Sequence, residues 1–276
     1  LRHKNGIEMD FDIYGKLTTI KDRNGNAQNI SYSGQDIYRI IDSYGRYLEF
    51  NYSGGRIASV VDSLGRQTSY SYDSYGQLSA VTDAEGGTER FTYDALHQIT
   101  SKTCPRGTTT TYEYSGQRIV KVTGPVGNIT TYTYDTDNRK TTVRDPNAGA
   151  TAYIFNRYGE ALEKTDPLGR KTTYLWNTKR KLTRITDPDN KSTYFTYDAN
   201  GNLSIITDAA GSQTFTTYEA AYNQPLTYKD AEGNVTGYTY DAKGNLIAIT
   251  APDGNITKME YDAKGLITKI TTPAGA

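Results

Sequence analysis

The sequence predicts an all-β fold: a long antiparallel meander of about 26 short strands, two per ~21-residue repeat, wide enough to curl into a hollow barrel-like wall. Three observations carry the prediction. A fixed repeat runs the length of the chain, the composition favours strands, and the segments between strands have the chemistry of tight hairpin turns. Over 276 residues there are 25 Tyr alongside abundant Thr and Ile, although only 36% of residues are hydrophobic and the mean hydropathy is −0.69. That is sheet composition rather than disorder.

The repeat is anchored on an aromatic residue before each first turn: Phe11, Tyr32, Tyr52, Tyr72, Tyr93, Tyr114, Tyr134, Phe155, Trp176, Tyr197, Tyr218, Tyr240 and Tyr261, which is 13 anchors. Successive anchors lie 20, 21 or 22 residues apart. Steps of 20 start at Tyr32, Tyr52 and Tyr114, where Ser-Gly replaces a four-residue Asp-x-x-Gly, and the single step of 22 starts at Tyr218, before "EAAYNQPL". Length therefore varies in the first turn and spares the segments between turns, as expected of hydrogen-bonded strands joined by solvent-facing loops. The array 1–276 reads as one domain of 13 repeats, with no helix and no linker, and as a piece of a larger protein.

The second turn is more uniform. Asp166-Pro167-Leu168-Gly169 is its full form, and seven of the eight prolines (Pro105, Pro125, Pro146, Pro167, Pro188, Pro252, Pro273) take its second position. Asp first, Pro second and Gly fourth define a type I turn closed by a left-handed residue, the common three-residue hairpin loop. Where Gly is missing, Asn138, Asn190 and His97 stand in as residues that tolerate the left-handed region; Arg180 and Tyr222 fall outside that explanation.

Segments such as "NLSIIT" and "SQTFTTY" have strand length, roughly 20 Å. On the strand entering the first turn, aromatic residues stand at the anchor and two positions earlier (Tyr70 and Tyr72, Tyr174 and Trp176, Phe195 and Tyr197), hence on one face. On the returning strand Leu203 and Ile206, or Leu246 and Ile249, are three apart, so either a bulge intervenes or one of each pair faces the other side. Strands ~4.8 Å apart would make a ribbon on the order of 125 Å wide, which twist bends; one full turn encloses a bore of roughly 40 Å. Tyrosine suits such a wall, since its ring packs against neighbours while its hydroxyl can still meet water.

Charge and candidate chemistry point the same way. The 31 basic and 31 acidic residues cancel, so neither nucleic acid nor an anionic membrane is expected as a partner, and no apolar run is long enough for a membrane helix. Cys104 is the single cysteine, which excludes an internal disulfide. It replaces Asp in "CPRG" without an evident base, so a nucleophilic role is disfavoured. His3 and His97 are the two histidines, 94 positions apart, and His97 occupies a Gly slot. Asp135-Thr136-Asp137-Asn138 and Asp187-Pro188-Asp189-Asn190 crowd oxygens but lack the length and closing Glu of an EF-hand. The sequons at Asn128, Asn234 and Asn255 follow from the repeat's own phase. We expect no catalytic, cofactor-binding or metal residue and no enzyme activity.

Taken together, Y-D-A-x-G-N-L (Tyr197 to Leu203, Tyr240 to Leu246), T-D-P-x-G-R (Thr165 to Arg170) and T-x-Y-x-Y-D (Thr236 to Asp241) resemble the YD-repeat or Rhs (rearrangement hotspot) family across essentially the whole chain. That family includes Rhs polymorphic toxins, shell components of insecticidal toxin complexes, wall-associated proteins and teneurins. The resemblance implies a spiral shell, a secreted or cell-surface parent, and in toxin members a variable C-terminal domain enclosed until self-cleavage. Its autoproteolytic role is not carried onto Asp145-Pro146, Asp166-Pro167 or Asp187-Pro188, which sit in ordinary turn positions, and Thr271 to Ala276 reads as one more second turn with no core segment or toxin domain. The expected function is a non-enzymatic scaffold whose partners are the rest of the parent polypeptide and an enclosed toxin domain. The alternative is an adhesion module that binds glycans or cell-surface partners, or that self-associates through open sheet edges; choline-binding hairpin repeats, by contrast, lean on Trp, and this chain has only Trp176.

Overall fold

The computed structural model describes residues 1–273; the end of the last expected second turn, 274–276, lies outside them. The described residues form 26 strands, from Glu8–Phe11 to Ile267–Thr271, and no helix. Neighbours in sequence pair antiparallel, as the repeat predicts. Contacts cluster into two units, residues 1–31, 40–45 and 175–276 in one and 32–39 and 46–174 in the other. The same hairpin repeat builds both.

No packed interior accompanies the strands. Ala80 is the one buried apolar residue among those described, and most strand positions are half-buried. The accessible surface is 17621 Å², against about 12,000 Å² for a compact protein of this mass. Stability must come from hydrogen-bonded pairing and from rings laid across one sheet face, not from a second layer.

The turns obey one geometry. In Asp12-Ile13-Tyr14-Gly15-Lys16 the Asp12 N–H donates to the Lys16 carbonyl at 2.9 Å, and the Gly15 N–H donates to the Asp12 carbonyl at 3.0 Å. Gly15 has φ +81°, and Asp12 Oδ1 accepts the N–H groups of Tyr14 and Lys16 at 2.8 and 2.9 Å. The carboxylate thus satisfies donors that the reversal removes from the ladder. The same pair of bonds recurs at Asp62, Asp94, Asp166 and Asp187, and at Asn156 and Asn177 in the Asp slot. The shortened Ser-Gly turns are two-residue hairpins. Ser53 pairs with Arg56 across Gly54-Gly55, both with positive φ, as a type I′ turn requires.

The left-handed positions correct two expectations. His97 (φ 65°), Asn190 (61°) and Arg180 (61°) do occupy them, but Asn138 and Tyr222 do not: Arg139 (47°) and Asn223 (62°) stand there instead. The extra residue of the 22-residue step moves the slot by one and releases Tyr222 for another role. At the Asp135 turn Asp135 pairs with Lys140, so the reversal spans four residues and ends on Arg139. Ala148 (64°) is a further left-handed residue, unflagged by its type.

The alternative left open on the returning strand resolves as a bulge. Phe195 opposes Ile206, Thr196 opposes Ile205, and Tyr197 opposes Leu203, so Ser204 is passed over. Leu203 and Ile206 therefore share the aromatic face although three apart. Among the described residues at least ten first-turn hairpins carry this irregularity. The hairpin at Asp135 keeps an unbroken register. The passed-over residue is itself used: Thr18 and Ser204 donate their hydroxyls to carbonyls eight residues back, at 3.2 and 3.1 Å, and Thr183 makes the same bond at 3.0 Å.

Candidate functional site: tyrosine ladder and turn seam

The bulge has a cost, which the anchor residue repairs. Beyond it the returning strand diverges from the next repeat: Ala80, Val81 and Thr82 pair with Arg90, Glu89 and Thr88, and the pairing stops short of Leu78. The Leu78 carbonyl instead receives the hydroxyl of Tyr93 at 2.8 Å. The identical bond, from an anchor tyrosine to the carbonyl 15 residues earlier, is made by Tyr52, Tyr72, Tyr114, Tyr134, Tyr197, Tyr218, Tyr240 and Tyr261 at 2.7–3.0 Å. Each hydroxyl proton is donated to the preceding hairpin, and the bond continues the ladder where the backbone cannot. Desolvation holds the phenols of Tyr52, Tyr93, Tyr114, Tyr218 and Tyr240 above the usual tyrosine value, as befits obligate donors.

The exception supports the rule. At the unbulged Asp135 hairpin the pairing runs on through Lys140 and Ile154, and the Phe155 N–H reaches the Arg139 carbonyl at 3.0 Å. No hydroxyl is needed there, and the anchor is Phe.

A second arrangement lies within the unit 1–31, 40–45 and 175–276. The turn Asp22–Asn26 rests against first turns far along the chain. Arg23 Nη1 donates to Gln224 Oε1 at 2.8 Å, and its guanidinium lies 5.1 Å from the Tyr222 ring centre. Asn24 and Asn245 exchange two amide bonds, each 3.0 Å, across 221 residues. Asn26 Nδ2 donates to the Lys264 carbonyl at 2.8 Å, while Lys264 Nζ donates to the Ser43 carbonyl at 3.2 Å and covers the Tyr44 ring at 3.9 Å. Asn245 is the one buried polar residue among those described, and its amide also reaches Asp241 Oδ2 at 2.8 Å. Tyr222 abuts Gly6 and Gly244, where any Cβ would collide with its ring.

The residues singled out from sequence have turn roles. His97 holds its left-handed position with its ring 6.0 Å from that of Tyr75. Cys104 fills the Asp slot; its Sγ lies 2.7 Å from Thr108 Oγ1, a bond that leads the lowering of its thiol pKa. Asp135 accepts Asn138 Nδ2 at 2.7 Å, and that bond holds its carboxyl below the usual range; Asp187 accepts the N–H groups of Asp189 and Lys191. Of the sequon amides, Asn234 Nδ2 donates to Asp230 Oδ2 at 2.9 Å and Asn255 Nδ2 to Asp253 Oδ2 at 2.7 Å. His3 donates its backbone N–H to the Ile7 carbonyl at 2.8 Å. Sequence reasoning missed Arg23, Asn24, Tyr222 and Asn245; the one signal was Tyr222's refusal to fit a Gly slot.

The model of the family described as RHS Repeat matches residues 52–88, 72–109, 112–150, 178–213, 221–256 and 240–276. The chain belongs to the RHS repeat family. No curated protein matches it. Among solved structures this RHS-repeat chain is similar in fold to one titled TcdB2-TccC3 (TM-score 0.66, 15% identity, 99% of this chain and 18% of that one). It is similar also to TcdB2-TccC3-Cdc42 (0.64, 14%, 98% and 18%). A third is the Tc holotoxin pore of Photorhabdus luminescens carrying the TccC3 substitution D651A (0.65, 15%, 99% and 18%). The chain thus spans under a fifth of the length of each, and identities this low establish the fold alone.

Proposed function

We propose that this RHS-repeat array is a structural scaffold: a section of a β-shell that encloses or displays another part of a secreted or cell-surface protein, without chemistry of its own. The observation that carries the reading is the seam, where the turn Asp22–Asn26 meets the turns around Gln224, Asn245 and Lys264 at sequence separations of 201 to 238. A sheet whose early turns rest on its late turns has the contacts that a coiled wall requires. The lack of a packed core agrees, since a wall has two faces and no interior. The likeness to Tc toxin components supports a parent that is exported and holds a toxin-like domain.

Limited proteolysis of the parent polypeptide tests this, followed by mass spectrometry of whatever lies outside the array. Enclosure predicts that the neighbouring domain is cut only after the array unfolds. Cleavage of that domain at equal rates with the array folded and unfolded would overturn enclosure.

A further inference from the structure

One repeat departs from the others in three linked ways. Where most returning strands place Leu or Ile opposite the anchor, as with Leu78, Ile99, Leu203 and Leu246, the repeat of Tyr134 has Lys140 at that place in the sequence and Thr141 in the opposing position. The following anchor is Phe155, and Ala161 opposes it. Bulk and hydroxyl are thus lost together, and a cleft of about 490 Å³ opens beside them, within the range of small-molecule sites.

Arg118, Arg139, Lys140 and Arg157 line this cleft with the rings of Tyr134 and Phe155, against one carboxylate, Asp135. Asp135 is already engaged by the N–H and Nδ2 of Asn138 at 3.0 and 2.7 Å, with Lys140 nearby. The arginines are held by neutral partners. Arg118 lies over the Tyr134 ring at 5.1 Å, Arg139 Nε donates to the Phe155 carbonyl at 3.2 Å, and Arg157 bonds the Tyr158 hydroxyl. Elsewhere exposed cations meet carboxylates, as in Arg66–Asp62, Arg170–Asp166, Lys121–Glu113 and Lys102–Glu89. In a chain of zero net charge, four cations on one cleft with a single, occupied carboxylate form a local anion site.

We propose that this cleft binds a sugar-sized molecule bearing a phosphate or sulfate ester. A tetrahedral ester presents three outer oxygens to several converging donors, which a planar carboxylate cannot, and the ring body rests on Tyr134 and Phe155. The site is independent of the scaffold reading.

Isothermal titration of the intact chain with glucose 6-phosphate, glucose 6-sulfate, glucose and inorganic phosphate tests it. The expected result is saturable 1:1 binding of at least one ester, weakened by added salt, and none of glucose; the stronger ester identifies the source. Arg118→Gln with Arg157→Gln weakens binding by about tenfold or more. Lys140→Leu, which restores the residue type of the other repeats, abolishes binding while thermal stability is kept. If Lys140→Leu impairs folding, the exposed Arg118 and Arg157 substitutions carry the test alone. No heat with either ester, inorganic phosphate binding as tightly as the esters, or unchanged affinity in folded variants would overturn the proposal.

Discussion

Replacing Tyr72 with Phe isolates one rung of the ladder. The Tyr72 hydroxyl donates to the Ile57 carbonyl at 2.9 Å, beyond the last backbone pairs of that hairpin, Ser59–Ser69, Val60–Thr68 and Val61–Gln67. Phe keeps the ring, and with it the Arg56 guanidinium 5.7 Å above it, and deletes only the donor. A deleted hydrogen bond of this kind costs about 1 kcal/mol, at the middle of the usual range because the half-buried carbonyl recovers part of its bond from water. Opening of the strands Arg56–Asp62 and Gln67–Tyr72 then becomes about fivefold more frequent. Amide hydrogen exchange reads that locally, which suits a repeat array better than a global midpoint. Two substitutions frame the result. Tyr70, on the same strand and face, has no hydroxyl partner among the described residues, so Tyr70→Phe is neutral for exchange; Phe155→Tyr gains nothing, because pairing runs unbroken through Lys140 and Ile154 and leaves no gap for a hydroxyl to bridge. Equal effects at positions 70 and 72 would refute the assignment of the ladder to the bulge.

Other outcomes are expected. Asn24→Ala and Asn245→Ala each destabilise by about 1 kcal/mol, and a double-mutant cycle gives a coupling of roughly 0.5–1.5 kcal/mol across the seam; a zero coupling by chemical denaturation rules the contact out. Ala148→Gly relieves a left-handed alanine and raises stability by about 0.5–1 kcal/mol, measured by thermal melting; a fall would contradict the backbone assignment. Carboxyls such as Asp62 (side-chain bond from Arg66), Asp198 (backbone N–H of Asn202) and Asp230 (side-chain bond from Asn234) lie below their ordinary 3.8. Folded values below unfolded ones give stability that is present above 3.8 and lost as pH falls through the folded values. The anchor phenols lie above their ordinary 10.0; that contribution is full below 10.0 and lost as pH rises through the folded values. Circular dichroism against pH should therefore show a plateau bounded by both windows. The strand Ile267–Thr271 is exposed throughout, with Ile267 and Ile270 53% and 58% exposed, so the 276-residue chain should associate with rising concentration in light scattering; a monomer at all concentrations would count against this.

Strand number, hairpin order and turn chemistry were legible because they rest on local physics repeated 13 times: an Asp that caps, a Gly or Asn that turns left-handed, and alternation along a strand. The bulge was visible only as a conflict of phase at Leu203 and Ile206, since spacing alone cannot separate an inserted residue from a reversed face. The destination of the tyrosine hydroxyls was not legible. It depends on a carbonyl that loses its partner only after the bulge forms, on the neighbouring hairpin. The seam was hidden for a different reason: Arg23, Asn24 and Asn245 look like ordinary turn residues, and their partners lie more than 200 positions away.

Because each anchor hydroxyl fastens to a fixed point of the preceding hairpin, misalignment cannot propagate from one hairpin to the next. Turns of different length are absorbed where they occur, and alignment is restored at the following tyrosine. The alignment of each hairpin is thus set by its immediate neighbour and not by the summed lengths of the turns before it.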